Sequence, residues 1–166
     1  MKKRQWLLLG LVLAVLFGLM GCSGSKKQKE ILKYINDDAQ VLGRIEDRLL
    51  SSYGSVTGTN YTNDAVTYEE FTENTKWLAK ELCDKATEIA GEIMDEEIIA
   101  VHRIYMNFSS KMRSVIDLMI RALENQDAVL ITEANEMLNE ANNLAIDFKI
   151  ALKKLADKYD IELKQK

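Results

Sequence analysis

The chain has no proline in 166 residues, and six of its eight glycines lie in the first 24 residues or at Gly54 and Gly58. Proline and glycine are the residues that break helices, so little here would stop a helix once begun. The apolar residues show that helices do begin. Ala134, Leu138, Ala141, Ala145, Phe148, Leu152, Leu155 and Tyr159 alternate steps of four and three, the spacing that sets side chains on one helical face. Ile98, Val101, Tyr105, Phe108, Met112, Val115 and Met119 do the same, and shorter stripes run from Ile31 to Leu49 and from Phe71 to Ile93. A helix with one apolar stripe is unstable alone, so four such stripes must face one another. The expected fold is all-α: an up-and-down four-helix bundle with a long loop between helices 1 and 2.

The boundaries follow from local chemistry. Helix 1 is expected from Glu30 to about Leu50, with Asp38 interrupting its stripe and Ala39 or Val41 turning inward instead. Ser51–Val66 carries Gly54 and Gly58 among hydroxyl and amide residues, the composition of a loop. Loops of that length are often functional, and Tyr53 and Tyr61 on such a background suit an adaptable partner-binding surface. Thr67-Tyr68-Glu69-Glu70 matches a capping box and should open helix 2. Asp95-Glu96-Glu97 fits the dipole-favoured start of helix 3, although a helix continuous through this point is also compatible with the sequence. Asn125-Gln126-Asp127 marks the last turn, with Asp127 as a cap.

The first residues follow a different logic. Lys2, Lys3 and Arg4 precede the charge-free run Trp6–Met20, the pattern of an export signal. As a helix that run would reach about 22 Å, short of the roughly 30 Å hydrocarbon layer. It ends in Leu19-Met20-Gly21-Cys22. This stretch resembles the lipobox of bacterial lipoproteins: an aliphatic residue, a tolerant position, a small residue and a Cys. Met20 is larger than the residue usually found at its position. The resemblance covers residues 1–22 and implies that diacylglyceryl is attached to the Cys22 thiol and that the chain is cut between Gly21 and Cys22. It would place the protein on the outer face of the cell membrane with the lipid bilayer as its first partner. Ser23 and Ser25, small residues two apart, leave a second route open, an ordinary signal cut after Ser25 with no lipid. An uncleaved anchor helix is disfavoured by its length.

The expected organisation is therefore a cleaved signal at 1–21, a lipidated Cys and flexible tether at 22–29, and a helical domain at 30–162. Loss of Lys2, Lys3 and Arg4 leaves 19 basic against 26 acidic residues, a formal balance of −7. An acidic domain with dispersed charge argues against nucleic-acid binding. Lys26, Lys27 and Lys29 in the tether would be drawn to anionic headgroups, each by about 1 kcal/mol. With Cys22 acylated, Cys83 has no intrachain partner and reads as a small, partly buried apolar residue.

No catalytic constellation and no cofactor motif is visible. His102 is the one histidine, and Ile99 rather than Glu stands three residues before it, so neither a di-metal carboxylate bundle nor a zinc-hydrolase helix is encoded. It reads as a polar edge residue. Asn60 does not start a calcium loop, because the required glycine and terminal glutamate are missing. Asn135, Asn139 and Asn142 line one flank of the last helix as a solvated or hydrogen-bonded edge. The expected function is that of an envelope interaction module that binds another envelope protein or a second copy of itself. The alternative is a small-molecule or metal-ion binder with a pocket near Tyr105, Met112 and Met119. The mature domain is similar in general form to uncharacterised helical lipoproteins of Gram-positive bacteria, which implies a location and no activity.

Overall fold

A computed structural model describes residues 25–163, and among them the protein is all-α, with no strand. The helices are α1 (Lys26–Lys33), α2 (Ala39–Ser55), α3 (Asp64–Glu70), α4 (Lys76–Glu92), α5 (Glu96–Asn125) and α6 (Ala128–Lys158). A π turn at Tyr34–Asp38 joins α1 to α2, and a second at Phe71–Thr75 joins α3 to α4. The six helices thus make four rods, 26–55, 64–92, α5 and α6. The two longest, of 30 and 31 residues, reach about 45 Å each.

Side-chain pairs give the direction of packing. Tyr105 meets Phe148, Lys111 meets Glu140 and Lys158 meets Glu97, so α5 and α6 run antiparallel. Ala86 meets His102 across the α4–α5 contact, and Arg48 meets Glu81 between α2 and α4. The core between them is built on the expected stripes: Ile31, Leu42, Leu49, Leu82, Phe108, Met112 and Leu152 are all at most 2% exposed. Tyr105 sits edge-on to both Phe108 and Phe148, at 5.4 and 5.0 Å between ring centres, a geometry favoured by the ring quadrupoles.

Turn chemistry separates the rods. Asp95 caps α5 by accepting from the amides of Glu97 and Ile98, and α4 ends at Glu92, so the acidic triplet starts a new helix instead of continuing the old one. Asp127 caps α6 by accepting from Val129 and Leu130. Ahead of it Gln126 adopts a left-handed conformation, φ 53°, which lets Asp127 N–H reach the carbonyl of Ala122 at 2.9 Å. Asp160 repeats the device after α6, with φ 54° and Ile161 N–H on Ala156 O at 2.9 Å. Both are Schellman closures, which satisfy the terminal carbonyls that a helix leaves open.

Three expected boundaries are revised, and the expected break at Asp38 is given its cause. The tether of residues 22–29 is helical from Lys26, because Ser25 and Gln28 form a capping box: Ser25 Oγ accepts from Gln28 N at 3.2 Å and Gln28 Oε1 accepts from Ser25 N at 2.7 Å. The loop of Ser51–Val66 narrows to residues 56–63. Helix α2 continues to Ser55 because burying Tyr53 and Val56, at 6% and 7% exposure, outweighs the roughly 1 kcal/mol that Gly54 costs in a helix. The cap of α3 is Asn63, whose side chain accepts from Val66 N at 3.0 Å, and not Thr67. Thr67 is itself buried, and its hydroxyl donates to the carbonyls of Val56 and Asn63 at 3.1 Å. Finally, Asp38 falls at the end of the first π turn, where the widened ladder moves it off the core face and leaves it half-buried at the side.

Candidate functional site

The end of the molecule at which the described chain begins is unusually well tied together. The Gln28 side chain donates to the Tyr159 carbonyl at 2.8 Å, joining α1 to the end of α6. The Lys27 ammonium pairs with Asp95 and lies 3.0 Å from Glu97. Glu97 also accepts from Lys158 at 2.6 Å and from the Tyr159 hydroxyl at 2.7 Å. These donors, Lys158 first, hold the Glu97 carboxyl down at about 2. Partial burial works to raise the Asp95 carboxyl, but the Lys27 ammonium and the two capping amides prevail and lower it. Partial burial likewise opposes the Lys27 charge, and its two carboxylate partners outweigh it and raise its pKa. Both lysines also lie over the Tyr159 ring, 5.6 and 5.4 Å from its centre. Beyond this network the α4–α5 turn projects Met94, 93% exposed.

One layer inward lies a buried polar pair. His102 is 0% exposed; its Nε2 is 2.7 Å from the Ala86 carbonyl and its Nδ1 is 3.0 Å from the Tyr34 hydroxyl. A carbonyl can only accept, so Nε2 carries the proton, and the Tyr34 hydroxyl must donate to Nδ1. Burial lowers the His102 pKa against the pull of the Ala86 carbonyl and Asp38, so the ring is neutral. Burial, then Asp38, pushes the Tyr34 hydroxyl up. His102 is thus a satisfied core histidine, not the edge residue its sequence position suggested. Beside Tyr34 lies a shallow cavity of about 150 Å³ whose wall includes Lys33, Asp38, Glu92, Ile93 and Met94. Among the described residues no three His, Cys, Asp or Glu side chains are placed to hold a metal ion.

The other singled-out residues separate clearly. Gly21 and Cys22 lie outside the described residues. Tyr53 is in the core, stacked on Phe71 with ring centres 5.5 Å apart, and cannot serve an exposed binding loop. Tyr61 is 51% exposed, and its hydroxyl donates to Asp64 at 2.8 Å. Tyr105, Met112 and Met119 serve the core: Tyr105 is 4% and Met112 1% exposed, with Met119 packed against the same core. Tyr105 donates instead to the partly buried Glu46 at 2.8 Å, and burial holds the Glu46 carboxyl above its usual range. Cys83 is half-buried; burial raises its thiol pKa, with Ser109 opposing, so it is a poor nucleophile.

The network at the chain's entry drew on residues that sequence reading had treated as flexible. The signal was present: Ser25-Lys26-Lys27-Gln28 has the spacing of a capping box. What the sequence does not display is that Asp95, Glu97 and Tyr159, so far along the chain, would meet Lys27 and Gln28. Comparison with protein-family models, curated proteins and solved structures finds no match to this chain.

Proposed function

We propose that this protein is a lipoprotein of the cell envelope, held on the outer face of the membrane by diacylglyceryl on Cys22, whose four rods form an up-and-down bundle that serves as a protein-interaction module. The supporting observation is the position of Ser25. Cutting before Cys22 leaves the Ser25 cap of α1 intact. Cutting after Ser25 would remove a cap worth about 0.5–2 kcal/mol and place a positively charged amino terminus at the positive end of the helix dipole. The folded domain therefore favours the lipid route over the ordinary signal cut. A two-chain lipid suffices for stable anchoring, where a single acyl chain is marginal.

The interaction role is supported by what the domain offers to solvent. Ile146 and Ile150, one turn apart on α6, are both 48% exposed, an adjacent apolar pair that a partner would cover. A protein of the envelope or a second copy of this chain would be the partner. The acidic balance argues against nucleic acid.

The anchor is tested by Cys22→Ala in cells fed a clickable fatty acid. The variant should take up no label and accumulate as uncut precursor. Maturation to the wild-type size would overturn the lipid route and establish the cut after Ser25. The interaction role is tested by crosslinking intact envelopes with the lipid retained. A defined protein partner, or a crosslinked dimer, is expected; recovery of the monomer alone under efficient crosslinking would refute it.

A further inference from the structure

The position of Ser25 has a second consequence, which rests on the anchor reading. Ser25 caps α1, so only Ser23 and Gly24 stand between Cys22 and the folded domain. Three peptide steps span at most about 10 Å. The headgroup layer of one leaflet is itself roughly 5–8 Å thick, the difference between the whole bilayer and its hydrocarbon core shared between two faces. A lipid on Cys22 would therefore bring the α1 end of the bundle down to the headgroups, with almost no freedom to stand off.

Part of the charge on the same end is held in ion pairs. Lys27, Lys158, Asp95 and Glu97 pair with one another, although the Lys158 side chain stays 60% exposed. Lys27 is thus unavailable to attract anionic headgroups, contrary to its reading as part of a tether. Lys26 and Lys29 remain exposed on α1, and Glu92 and Glu96 flank the turn as exposed carboxylates, so charges of both signs face outward at this end. Between them Met94 extends 93% exposed from the α4–α5 turn. It lies beside α1, where it shares a cavity wall with Glu30 and Tyr34. Met94 is thus an unbranched apolar side chain at a turn, on the end that the anchor would draw down toward the bilayer.

We propose that the end of the bundle formed by the start of α1, the α4–α5 turn and the end of α6 rests on the lipid bilayer, with the Met94 side chain in its interfacial layer. The lipid contributed by Cys22 then fixes distance, and Met94 together with the neutralised network fixes orientation.

The test uses the full lipidated protein in phosphatidylcholine vesicles with or without bromine on the acyl chains near the headgroups. Tryptophan emission is quenched by contact with bromine. The wild type carries Trp77 as the one tryptophan after the signal segment, and α4, of 17 residues, separates it from Met94 by about 25 Å. The comparison protein is the Met94→Trp, Trp77→Phe double variant; neither site is buried, so the fold is left intact. Emission of the double variant should be blue-shifted and should fall in brominated vesicles, while that of the wild type is unchanged. Vesicle co-flotation is measured on both. Co-flotation with no quenching of the double variant would overturn the docking proposal and leave the anchor standing. Equal quenching of both proteins would place the bundle on its side and also overturn it. Failure of the wild type to co-float would overturn the anchor reading itself.

Discussion

The buried pair of Tyr34 and His102 should behave as a unit that can be damaged by removing either partner and largely repaired by removing both. In Tyr34→Phe the ring keeps its place and loses the hydroxyl that donates to His102 Nδ1 across 3.0 Å. His102 is 0% exposed, so water cannot replace that donor. An unsatisfied buried acceptor costs about 1–3 kcal/mol. His102→Leu inverts the fault by leaving the Tyr34 hydroxyl, on a residue 1% exposed, with no acceptor, at a similar cost of about 1–3 kcal/mol. The Ala86 carbonyl lies within α4, where the helix ladder supplies a second donor, so its loss of His102 Nε2 adds little. The double variant has no stranded polar atom and should be more stable than the sum of the single losses by about 0.5–3 kcal/mol, the range found for residues in one hydrogen-bonded network. Urea unfolding of the protein from Ser23 onward reads this directly. With a slope of about 1–3 kcal/mol per molar, a loss of about 2 kcal/mol moves the midpoint by roughly 1 M. Strictly additive losses would refute the assigned hydrogen bond. A second readout follows from the lowered His102 pKa. The unfolded chain binds its proton near the ordinary value of 6.5, while the fold resists it. The His102 contribution to stability should therefore be fully present above that value and be lost as pH falls below it toward the folded pKa, and His102→Leu should flatten the slope in that window. An unchanged slope would show that the ring is not sealed in its neutral form.

Two further outcomes test how the tyrosines and the buried carboxylate have been placed. Tyr53→Ala removes a core ring that stacks on Phe71 and should cost about 3–5 kcal/mol, whereas Tyr61→Ala on the exposed loop should stay within about 0.5 kcal/mol of wild type; reversed sizes in urea unfolding would contradict the boundary of α2. Glu46→Gln keeps an acceptor for the Tyr105 hydroxyl and deletes a charge that burial disfavours. Because the folded pKa of Glu46 lies above its unfolded value, the wild type loses stability as pH rises from the unfolded value through the folded one. The variant should unfold at a higher temperature at neutral pH and lack that descent, and a lower midpoint there would show that the carboxylate charge is stabilising.

How much could be read from the chain depended on whether a residue's role was local. The stripes on α5 and α6 were legible because they alternate three and four over many turns, and the core uses Phe108, Met112, Phe148 and Leu152 as that spacing requires. Asp95 and Asp127 were legible as caps because a cap acts on amides two and three residues away. The first two rods were harder. A π turn leaves the hydrophobic pattern out of phase, and Asp38 looked like a flaw in a stripe when it marks a place where the ladder widens. Thr67 was misread because the Val56 carbonyl, from another part of the chain, takes its hydroxyl, while Asn63 four residues earlier supplies the cap. His102 was misread for a similar reason. Its acceptor lies on α4 and its donor on the first π turn, and composition shows neither.

The two π turns bear on how the first rods accommodate changes of length. A π turn holds one residue more than the α turn it replaces. In the first rod the turn lies between Ile31, which meets the core on one side, and Leu42 and Leu49, which meet it on the other. Each residue advances an α-helix by about 100°. Shortening 26–55 by a single residue would make the ladder regular and rotate α1 by that angle about the rod axis, carrying Ile31 out of the core and Lys27 away from Asp95. The number of residues between the start of α1 and the middle of the rod is therefore constrained along with their identities, and the widened turn works as a phase adjuster that lets both ends of one rod face inward.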